Sequence, residues 1–533
     1  MKYNSIFSKV PLKVPNRAGH NMSHENLFTA KCGTLTPFFV EPVFPNEKHS
    51  VSVSAHVQLP PFVTDVYGRI DAVWELFFVP SRLLYGGWQE FITYQTSNSL
   101  YPSGTIAQEK PKVLPCMSFG NLTDSQLNAY AGPGTLADYL GYKRRSTGSD
   151  SQSLYFANIL PFVAYHKIWD DWYRDSRIQK SCFFRPTSTT IGTVSGTLPY
   201  VSFGGDSAQP VNSVLGDSHD LTSLRQRLWA KDYFTNATPL PQNGEPFKLT
   251  MTPDASGKVS FNMNSLYSLN SLQQFSIRHN IAGNRYTDNI FANWGCYPSD
   301  AIVDRCLYLG RKIIPIYTKS VYQTSEDNNT TQNPFNSVGA KFGSPQGVGS
   351  GNLVSNFKTT EHGFLFGMFS LVPRPYYSSG VRRYLMASRQ SDFPFPILHG
   401  IGDQPIFVSE LMDSFDGDIY SGDTFGYSQY ASEYKFHPDE VHGLLRDGES
   451  LDSFAIQRSF SSVPSLGSAF LEIPTNFLDQ VTAVNGQVSE YGCWVNAHIN
   501  YKKASPLQPY TIPTLGDMEN VHTIMVDKGG KRL

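Results

Sequence analysis

The sequence is poor in charge and in cysteine, and it has no long apolar run. Only 17% of the 533 residues are charged, below the usual quarter of a soluble domain. The six cysteines form no C-x-x-C pair and no zinc-type spacing, which favours reduced, buried thiols over a disulfide framework. The longest apolar run, Gly363–Val372, is too short to cross a bilayer. The segment Met1–Val10 lacks the apolar core of a signal peptide. We therefore expect the protein to be made in a cytoplasm and not to insert into a membrane.

Motifs that usually mark catalytic or cofactor sites are also missing. The sequence has no H-E-x-x-H, no P-loop, no G-x-G-x-x-G and no G-x-S-x-G. His437 and His442 flank Glu440, but Pro438 suits a loop better than a zinc-binding helix. We therefore expect no cofactor and no catalytic residues. Two well-placed carboxylates are enough for a glycosidase, so a β-sandwich carbohydrate-binding protein or glycosidase remains the alternative.

One acidic cluster is a weak candidate for calcium. Its aspartates lie close together around Gly417 and Gly422, and hard oxygen ligands in a loop suit that ion. Their order departs from the EF-hand loop, so a solvated acidic turn is the competing interpretation. The candidate ligands are Asp413, Asp416, Asp418 and Asp423.

Aromatic and turn-forming residues are abundant. Aromatics make up 14% of the chain, with 36 Phe and 29 Tyr, beside 42 Gly and 35 Pro. This combination indicates short strands joined by long, ordered loops. A high aromatic content with a low charged content is also typical of interface cores, although a large internal core explains it equally. A net charge of −2 argues against a protein that coats nucleic acid over its whole surface.

Small groups of basic residues lie near both ends of the chain. Residues 1–26 have no acidic residue before Glu25, and two prolines discourage regular structure there. This segment is predicted to be an extended arm that either faces nucleic acid or is simply solvated. The tail, residues 516–533, is a second and weaker candidate. The candidate phosphate contacts are Lys2, Lys9, Lys13 and Arg17 in the arm, and Lys528, Lys531 and Arg532 in the tail.

Hydrophobic periodicity predicts a single β-sandwich over residues 27–515, with large insertions at about 85–160, 176–264 and 320–356. Strands are predicted at 34–43, 50–59, 70–79, 363–372, 397–411 and 491–501. The second of these alternates cleanly, and the third is continuously apolar, as expected for a central strand buried on both faces. Residues 186–260 and 320–356 are rich in polar and turn-forming residues and are predicted to be exposed loops.

Two helices are predicted between these strands. One covers 161–175, where the charges of Asp170, Asp171 and Asp175 suggest a solvated face or a contact between subunits. The other covers 265–281 and is capped by Asn264. Its inward side chains are predicted to be Leu266, Leu269, Leu272 and Phe275.

Several segments together resemble the major capsid proteins of microviruses, especially the gokushovirus branch. The most specific is WELFFVPSRL at 74–83, followed by a tryptophan, and the next is LPFVAYHKIW at 160–169, followed by WYRD at 172–175. Weaker matches follow in the family's order from about residue 23 to 515. The motif residues, expected to be structural, are Trp74, Phe77, Phe78, Pro80, Arg82, Trp88, Trp169, Trp172, Arg174 and Asp175.

The resemblance implies an all-β viral jelly roll, an eight-stranded antiparallel sandwich or barrel with long inserted loops and a few helices. It also implies a structural protein rather than an enzyme. Copies would form pentamers and a T = 1 icosahedral shell around circular single-stranded DNA. Implied partners are a small basic DNA-packaging protein, a minor capsid or pilot protein and the host cell surface. The chain would reside in the virion after assembly in the bacterial cytoplasm.

One departure from the gokushovirus pattern concerns surface protrusions. That branch carries a long insertion after the segment that corresponds to Asp232–Thr235, thought to form spikes at the three-fold axes. Here only roughly twenty residues separate Gly244 from Asn264, too few for a large spike. Either the loops at 186–231 and 320–356 substitute for it, or the shell is smooth.

Overall fold

The computed structural model describes residues 17–93, 114–118, 124–142, 156–181, 183, 185, 200–201, 209–210, 221–241, 263–282, 286–296, 304–322, 324, 341–412, 423–483 and 487–507. The strands in these residues are β1 (Ala18–Asn21), β2 (His24–Ala30), β3 (Thr36–Val43), β4 (Lys48–Gln58), β5 (Ile70–Pro80), β6 (Cys116–Ser118), β7 (Phe156–Asn158), β8 (Tyr200–Val201), β9 (Gln209–Pro210), β10 (Leu307–Tyr322), β11 (Lys341–Lys358), β12 (Gly363–Pro373), β13 (Asp403–Phe407), β14 (Thr424–Gln429) and β15 (Cys493–Ser505).

The helices are mostly short. They are α1 (Ser81–Leu84), α2 (Trp88–Thr93), α3 (Asp124–Ala131), α4 (Leu136–Tyr139), α5 (Leu160–Ile168), α6 (Met263–Ala282), α7 (Tyr286–Trp294), α8 (Arg383–Met386), α9 (Ser468–Leu471) and α10 (Gln487–Tyr491). A π-helical turn, Trp169–Tyr173, continues α5. Single 3₁₀ turns lie between Gln390 and Val481, the longest being Pro396–Ile401.

Eight of the strands form a jelly roll. The first sheet has the order β2-β15-β4-β11, with β1 extending its edge, and the second has the order β3-β12-β5-β10. All pairings are antiparallel, and β10 pairs with β11 to join the two sheets along one side. Strands from the first 80 residues therefore alternate with strands from residues 307–505 in each sheet, as in two interlocked Greek keys. The predicted all-β jelly roll is confirmed.

Strict alternation of side chains builds the core between the two sheets. In β4 and β15 every second residue is buried, so the predicted half-buried strands are confirmed. Opposite them, Trp74 of β5 has edge contacts with Phe38 at 4.8 Å and lies 4.7 Å from Phe369, measured between ring centroids. These large rings fill the interior of the sandwich.

A second core covers the outer face of the second sheet. Every residue of β5 is buried, which confirms the prediction of a strand covered on both faces. Phe77 and Phe366 point away from the sandwich and pack against α5, where Phe162 and Tyr165 are fully buried. Pro161 lies in the first turn of α5, where its missing N–H costs no hydrogen bond. The predicted helix at 161–175 is confirmed, with its last turn widened into the π-helical form.

The loop predicted at 320–356 is wrong for residues 320–322, which end β10, and for residues 341–356, because Lys341–Lys358 is a long strand between β4 and β10; residues 325–340 lie outside the described residues. Its glycines resemble turn signals, but they allow the neighbouring strand to approach closely. A Cβ on Gly349 would lie 3.1 Å from the Ile314 side chain, and one on Gly351 would overlap the Lys312 side chain at 2.4 Å. Glycine in a strand marks close packing as readily as it marks a turn.

Two further sequence predictions need correction. Residues 397–411 do not form one strand, since the 3₁₀ turn Pro396–Ile401 precedes the five-residue β13, which pairs only with β14. The predicted surface loop at 186–260 includes residues 221–241, which pass through the body of the protein. Trp229 is buried in the sandwich core and Phe234 in a third core beside β13 and β14. Aromatic side chains inside polar sequence explain this burial.

The helix predicted at 265–281 is confirmed as α6, but its predicted capping and inward face are not. The helix begins at Met263, so Asn264 lies in its first turn rather than before it. Leu269 is half-buried, while Leu266, Leu272 and Phe275 are 45%, 50% and 58% exposed. The apolar stripe of α6 therefore points largely away from the body of this chain.

Candidate assembly and nucleic-acid surfaces

A buried ion pair connects the second sheet to the segment that crosses it. Arg227 donates to Glu75 at 2.6 Å and to the Ser370 hydroxyl at 2.9 Å, and the Tyr173 hydroxyl donates to the same carboxylate at 2.6 Å. Burial and the neighbouring Glu75 carboxylate hold the pKa of Tyr173 well above its ordinary value. Pattern analysis missed this cluster because its members lie far apart in sequence.

The charges at the end of α5 are used inside the chain, contrary to the predicted solvated or intersubunit role. Lys167 pairs with Asp171 at 2.9 Å, and Arg174 pairs with Asp170 at 2.7 Å. The carboxylate of Asp171 also accepts the backbone N–H of Cys306 at 2.8 Å. These contacts fix the π-helical turn against the start of β10.

Asp175 holds together two segments of the chain. Its carboxylate accepts Arg177 at 2.8 Å and Lys231 at 2.5 Å, and its side chain is only 6% exposed. Burial alone would raise its pKa, but hydrogen bonds from the two cations dominate and hold the pKa well below its ordinary value. Asp175 therefore remains ionised in the folded chain and connects the end of α5 to residues 221–241.

We expect Asp175→Asn to lower the free energy of unfolding by about 2 kcal/mol at neutral pH, because it removes charge-assisted hydrogen bonds. A lowered folded-state pKa stabilises the fold above the unfolded value, about 3.9, and this stabilisation disappears as pH falls through the folded value. The difference between wild type and variant should therefore shrink below about pH 4. Urea unfolding from pH 7 to pH 3 measures it, with exposed Asp439→Asn as control. A difference independent of pH would contradict this assignment.

The tryptophans and the arginine of the motifs occupy structural positions. Arg82, just after β5, pairs with Glu361 at 2.8 Å, and Trp88 lies edge-on to His362 with ring centroids 5.7 Å apart. The Trp169 ring contacts the Arg225 guanidinium. Trp172 donates its indole N–H to the Cys306 carbonyl at 3.0 Å, while 38% of its side chain stays exposed. The other motif residues, Phe78 and Pro80, are buried in β5.

Large apolar side chains are exposed in several places, and two groups of them lie outside the strands of the sandwich. The first, the helical patch, consists of exposed residues of α6 and α7, and Trp294 is its most exposed member at 73%. The second, the 385–397 patch, includes Ile397 at 89%. Contiguous exposed apolar surface is typical of protein–protein contacts. The remaining members are Leu266, Tyr267, Leu272, Phe275 and Phe291 in the helical patch, and Leu385, Phe393 and Phe395 in the 385–397 patch.

The arm and the calcium candidates are only partly described. Arg17 is exposed and donates a hydrogen bond to the Asn46 side chain. Asp423 is exposed, and its carbonyl accepts the Val408 N–H at 3.0 Å. The other candidates, Lys2, Lys9, Lys13, Asp413, Asp416 and Asp418, lie outside the described residues, as do Lys528, Lys531 and Arg532. Within the described residues, no group of three or more potential ligands is arranged to hold a metal ion.

A cavity of about 590 Å³ contains three glutamates, the feature that the glycosidase alternative requires. Each carboxylate has internal partners. Glu440 pairs with Arg382, Glu410 accepts the Tyr233 hydroxyl at 2.8 Å, and Glu433 accepts the Gln404 amide at 2.6 Å. Each of the three carboxylates therefore takes part in contacts within the chain. Among the helices of the described residues, none is long and apolar enough to span a membrane.

Fold and surface together define a structural jelly-roll protein of the kind that forms virus shells. The chain belongs to the phage capsid protein family described as "Capsid protein (F protein)", which matches residues 8–257 and 245–515. It is therefore a structural capsid protein that assembles into a multimeric shell and resides in the virion, and not an enzyme.

Three relatives support this assignment over nearly their whole lengths. Capsid protein VP1 of Chlamydia phage 1 is 24% identical over 613 aligned positions, which cover 96% of this chain and 97% of the relative. Capsid protein VP1 of Bdellovibrio phage phiMH2K is 23% identical, covering 88% and 90%. Capsid protein VP1 of Spiroplasma virus 4 is 20% identical, covering 94% and 95%. The carbohydrate-active alternative has no support among them.

Proposed function

We propose that this chain is the main shell protein of a small phage, and that its copies form pentamers and a T = 1 shell around a circular single-stranded DNA genome. The observation that carries the proposal is the pair of exposed apolar patches. Ring-shaped assembly brings two different surfaces of one chain together, one from each neighbour. The helical patch and the 385–397 patch supply two such surfaces.

Because the chain is nearly neutral, other components must neutralise most of the charge of the genome. A net charge of −2 cannot neutralise an enclosed genome. In this proposal a small basic protein packages the DNA, and the basic arm, Lys2 to Arg17, assists by releasing counterions from phosphates. A minor capsid or pilot protein completes the particle, which assembles in the bacterial cytoplasm and meets the host through its outer loops. The residues at 413–423 remain a weak calcium candidate.

The shell is proposed to lack tall protrusions formed by residues 245–264. The family match divides into two parts that meet at residues 245–257, within this short stretch. The alignment with the Chlamydia phage 1 protein occupies 613 positions against 533 residues here, so that relative contains insertions that this chain lacks. The division of the family match within this stretch favours a smoother surface at this place.

Electron microscopy and sedimentation of native particles test the proposal. We expect closed icosahedral shells of one dominant polypeptide, containing nuclease-protected single-stranded DNA and lacking tall density at the three-fold axes. Tall spikes at the three-fold axes would contradict the smooth surface but not the shell assignment. A monodisperse monomer, even with the other virion proteins present, would contradict the shell assignment.

A further inference from the structure

The two sheets of the jelly roll differ in what covers their outer faces. Helix α5 and its neighbours pack on the second sheet and bury its outward side chains. On the first sheet, the outward residues of β4 and β15 stay mostly exposed. We call the surface formed by β2, β15, β4 and β11 the open face. Residues 133–141 reach its edge, where the Tyr139 hydroxyl donates to the Thr29 carbonyl at 2.6 Å.

Apolar side chains stand on both sides of the open face, with polar ones between them. Leu27 on β2 and Val348 on β11 are 73% and 74% exposed. Asn496 and His56 lie between them in the same row of paired residues. Three strand spacings, roughly 14 Å, separate the two apolar residues, and a helix with its side chains is about 10–12 Å wide. A helix therefore fits along the strands between Leu27 and Val348.

The two ends of the open face differ in character. Trp494, 45% exposed, lies at one end, in the row next to that of Leu27. Glu25, with its side chain 67% exposed, lies towards the other end, opposite His498 and 4.0 Å from its ring nitrogen. No aspartate, lysine or arginine is among the other outward residues of these rows, which the structure describes as Thr29, Gln58, Gln346, Asn496, His56, Val348, Ser54, Ser350, Asn500, Ser52 and Asn352.

Helix α6 has one side turned away from the rest of the chain. Its half-buried residues recur every four positions and mark the side that packs against other parts of the chain; they are Leu269, Gln273 and Ile277. On the opposite side, spacings of four and three residues align four exposed side chains in a stripe. This outer stripe consists of Tyr267, Ser271, Gln274 and Arg278. It does not include Leu272, whose side of the helix stays available for the contacts proposed above.

The composition of α6 indicates that another protein surface covers it in the particle. Arg278 is the only one of its 20 residues that carries a permanent charge. A helix that faces water normally carries charged as well as polar residues on its exposed sides, whereas depletion of charge is typical of interface cores. Because the chain assembles into a multimeric shell, neighbouring copies are the surfaces that meet the helix there.

The outer stripe and the open face match from end to end. Each has one large aromatic residue towards one end and one charged residue towards the other, and the two charges are opposite. Tyr267 and Arg278 are roughly 16 Å apart along a helix, and Trp494 and His498, beside Glu25, are roughly 13 Å apart along a strand. The long arginine side chain spans the difference. Neutral hydrogen-bonding groups lie between the ends of both surfaces.

We propose that the outer stripe of α6 in one copy packs on the open face of a neighbouring copy, with Tyr267 against Trp494 and Arg278 paired with Glu25. The contact joins two different surfaces of the chain, as closed rings of identical subunits require. It gives the first sheet the helical layer that α5 gives the second. The inference rests on assembly into a shell and adds one contact between its copies.

Exchange of the two charges tests the pairing. Arg278→Glu and Glu25→Arg should each raise the chain concentration needed for shell formation about tenfold, because each places like charges against each other in a desolvated contact. The double variant restores opposite charges and should return this threshold to within about threefold of the wild type. Arg278→Glu combined with Glu449→Arg, at an exposed position outside the four strands, should stay as impaired as Arg278→Glu alone. No recovery in the double variant would overturn the proposal.

Oxidative footprinting of the wild-type chain identifies what covers the open face. We expect hydroxyl radicals to modify Trp494 and Tyr267 in the unassembled chain, and both residues to be protected equally in empty and full shells. Protection of Trp494 only in full shells would mean that the packaged contents cover it. Protection already in the unassembled chain would mean that a segment of the same chain does. Either result would overturn the proposed contact and leave the shell function intact, whereas failure of the wild type to form shells would contradict that function.

Discussion

Replacing Arg227 with methionine is expected to lower the free energy of unfolding by about 3 to 5 kcal/mol at neutral pH. The change leaves Glu75 buried, with its side chain 7% exposed, and without the cation that neutralises it. The Tyr173 hydroxyl still donates to that carboxylate, but a neutral donor offsets only part of the cost of a buried charge. Urea unfolding of the full-length unassembled chain measures the loss.

Two further variants separate this effect from ordinary damage. The double variant Glu75→Gln with Arg227→Met removes both charges, so we expect it to recover at least half of the lost stability. Arg374→Met removes one partner of the Arg374–Asp439 pair, in which both side chains are exposed, 46% and 51%. That change should cost less than about 1 kcal/mol. If Arg227→Met cost no more than Arg374→Met, the buried pair would not hold the crossing segment in place.

Strands with strict periodicity could be predicted from the sequence, and strands with close neighbours could not. Alternation located β4 and β15, and continuous apolar character located β5 and β12, because each pattern reports one strand's own burial. The strand Lys341–Lys358 could not be predicted because its glycines make room for side chains of another strand, such as Ile314. Composition cannot reveal which neighbour a glycine accommodates.

Burial of charged motif residues was also beyond sequence reasoning. Asp170 and Asp175 looked like surface charges on a helix, yet their partners, Arg174 and Lys231, hold them inside the chain. The converse error occurred in α6, where Leu272 followed an inward pattern but is half exposed. Periodicity predicts that a stripe will be covered, but it does not say whether the same chain or another copy covers it.

In the proposed assembly neighbouring copies cover these stripes, and this gives the second large prediction. Leu272→Asp in the helical patch and Ile397→Asp in the 385–397 patch should each raise the concentration of chain needed to form shells at least tenfold. Burying such a side chain stabilises a contact by about 1.5 to 3 kcal/mol, and a carboxylate placed there must be desolvated as well. Since 1.4 kcal/mol corresponds to a factor of ten, each contact alone suffices. Light scattering during assembly gives the threshold concentration.

The folded chain itself should tolerate both substitutions, since Ile397 is 89% exposed and Leu272 is 50% exposed. Thermal unfolding of the unassembled variants should therefore stay near that of the wild type. Asn270→Asp and Gln390→Asp are matched controls, because each adds the same charge at an exposed polar position near a patch. Normal assembly of the controls with failure of the patch variants would locate the subunit contacts. Equal thresholds for all four would mean that these patches face solvent in the shell and that other surfaces join the copies.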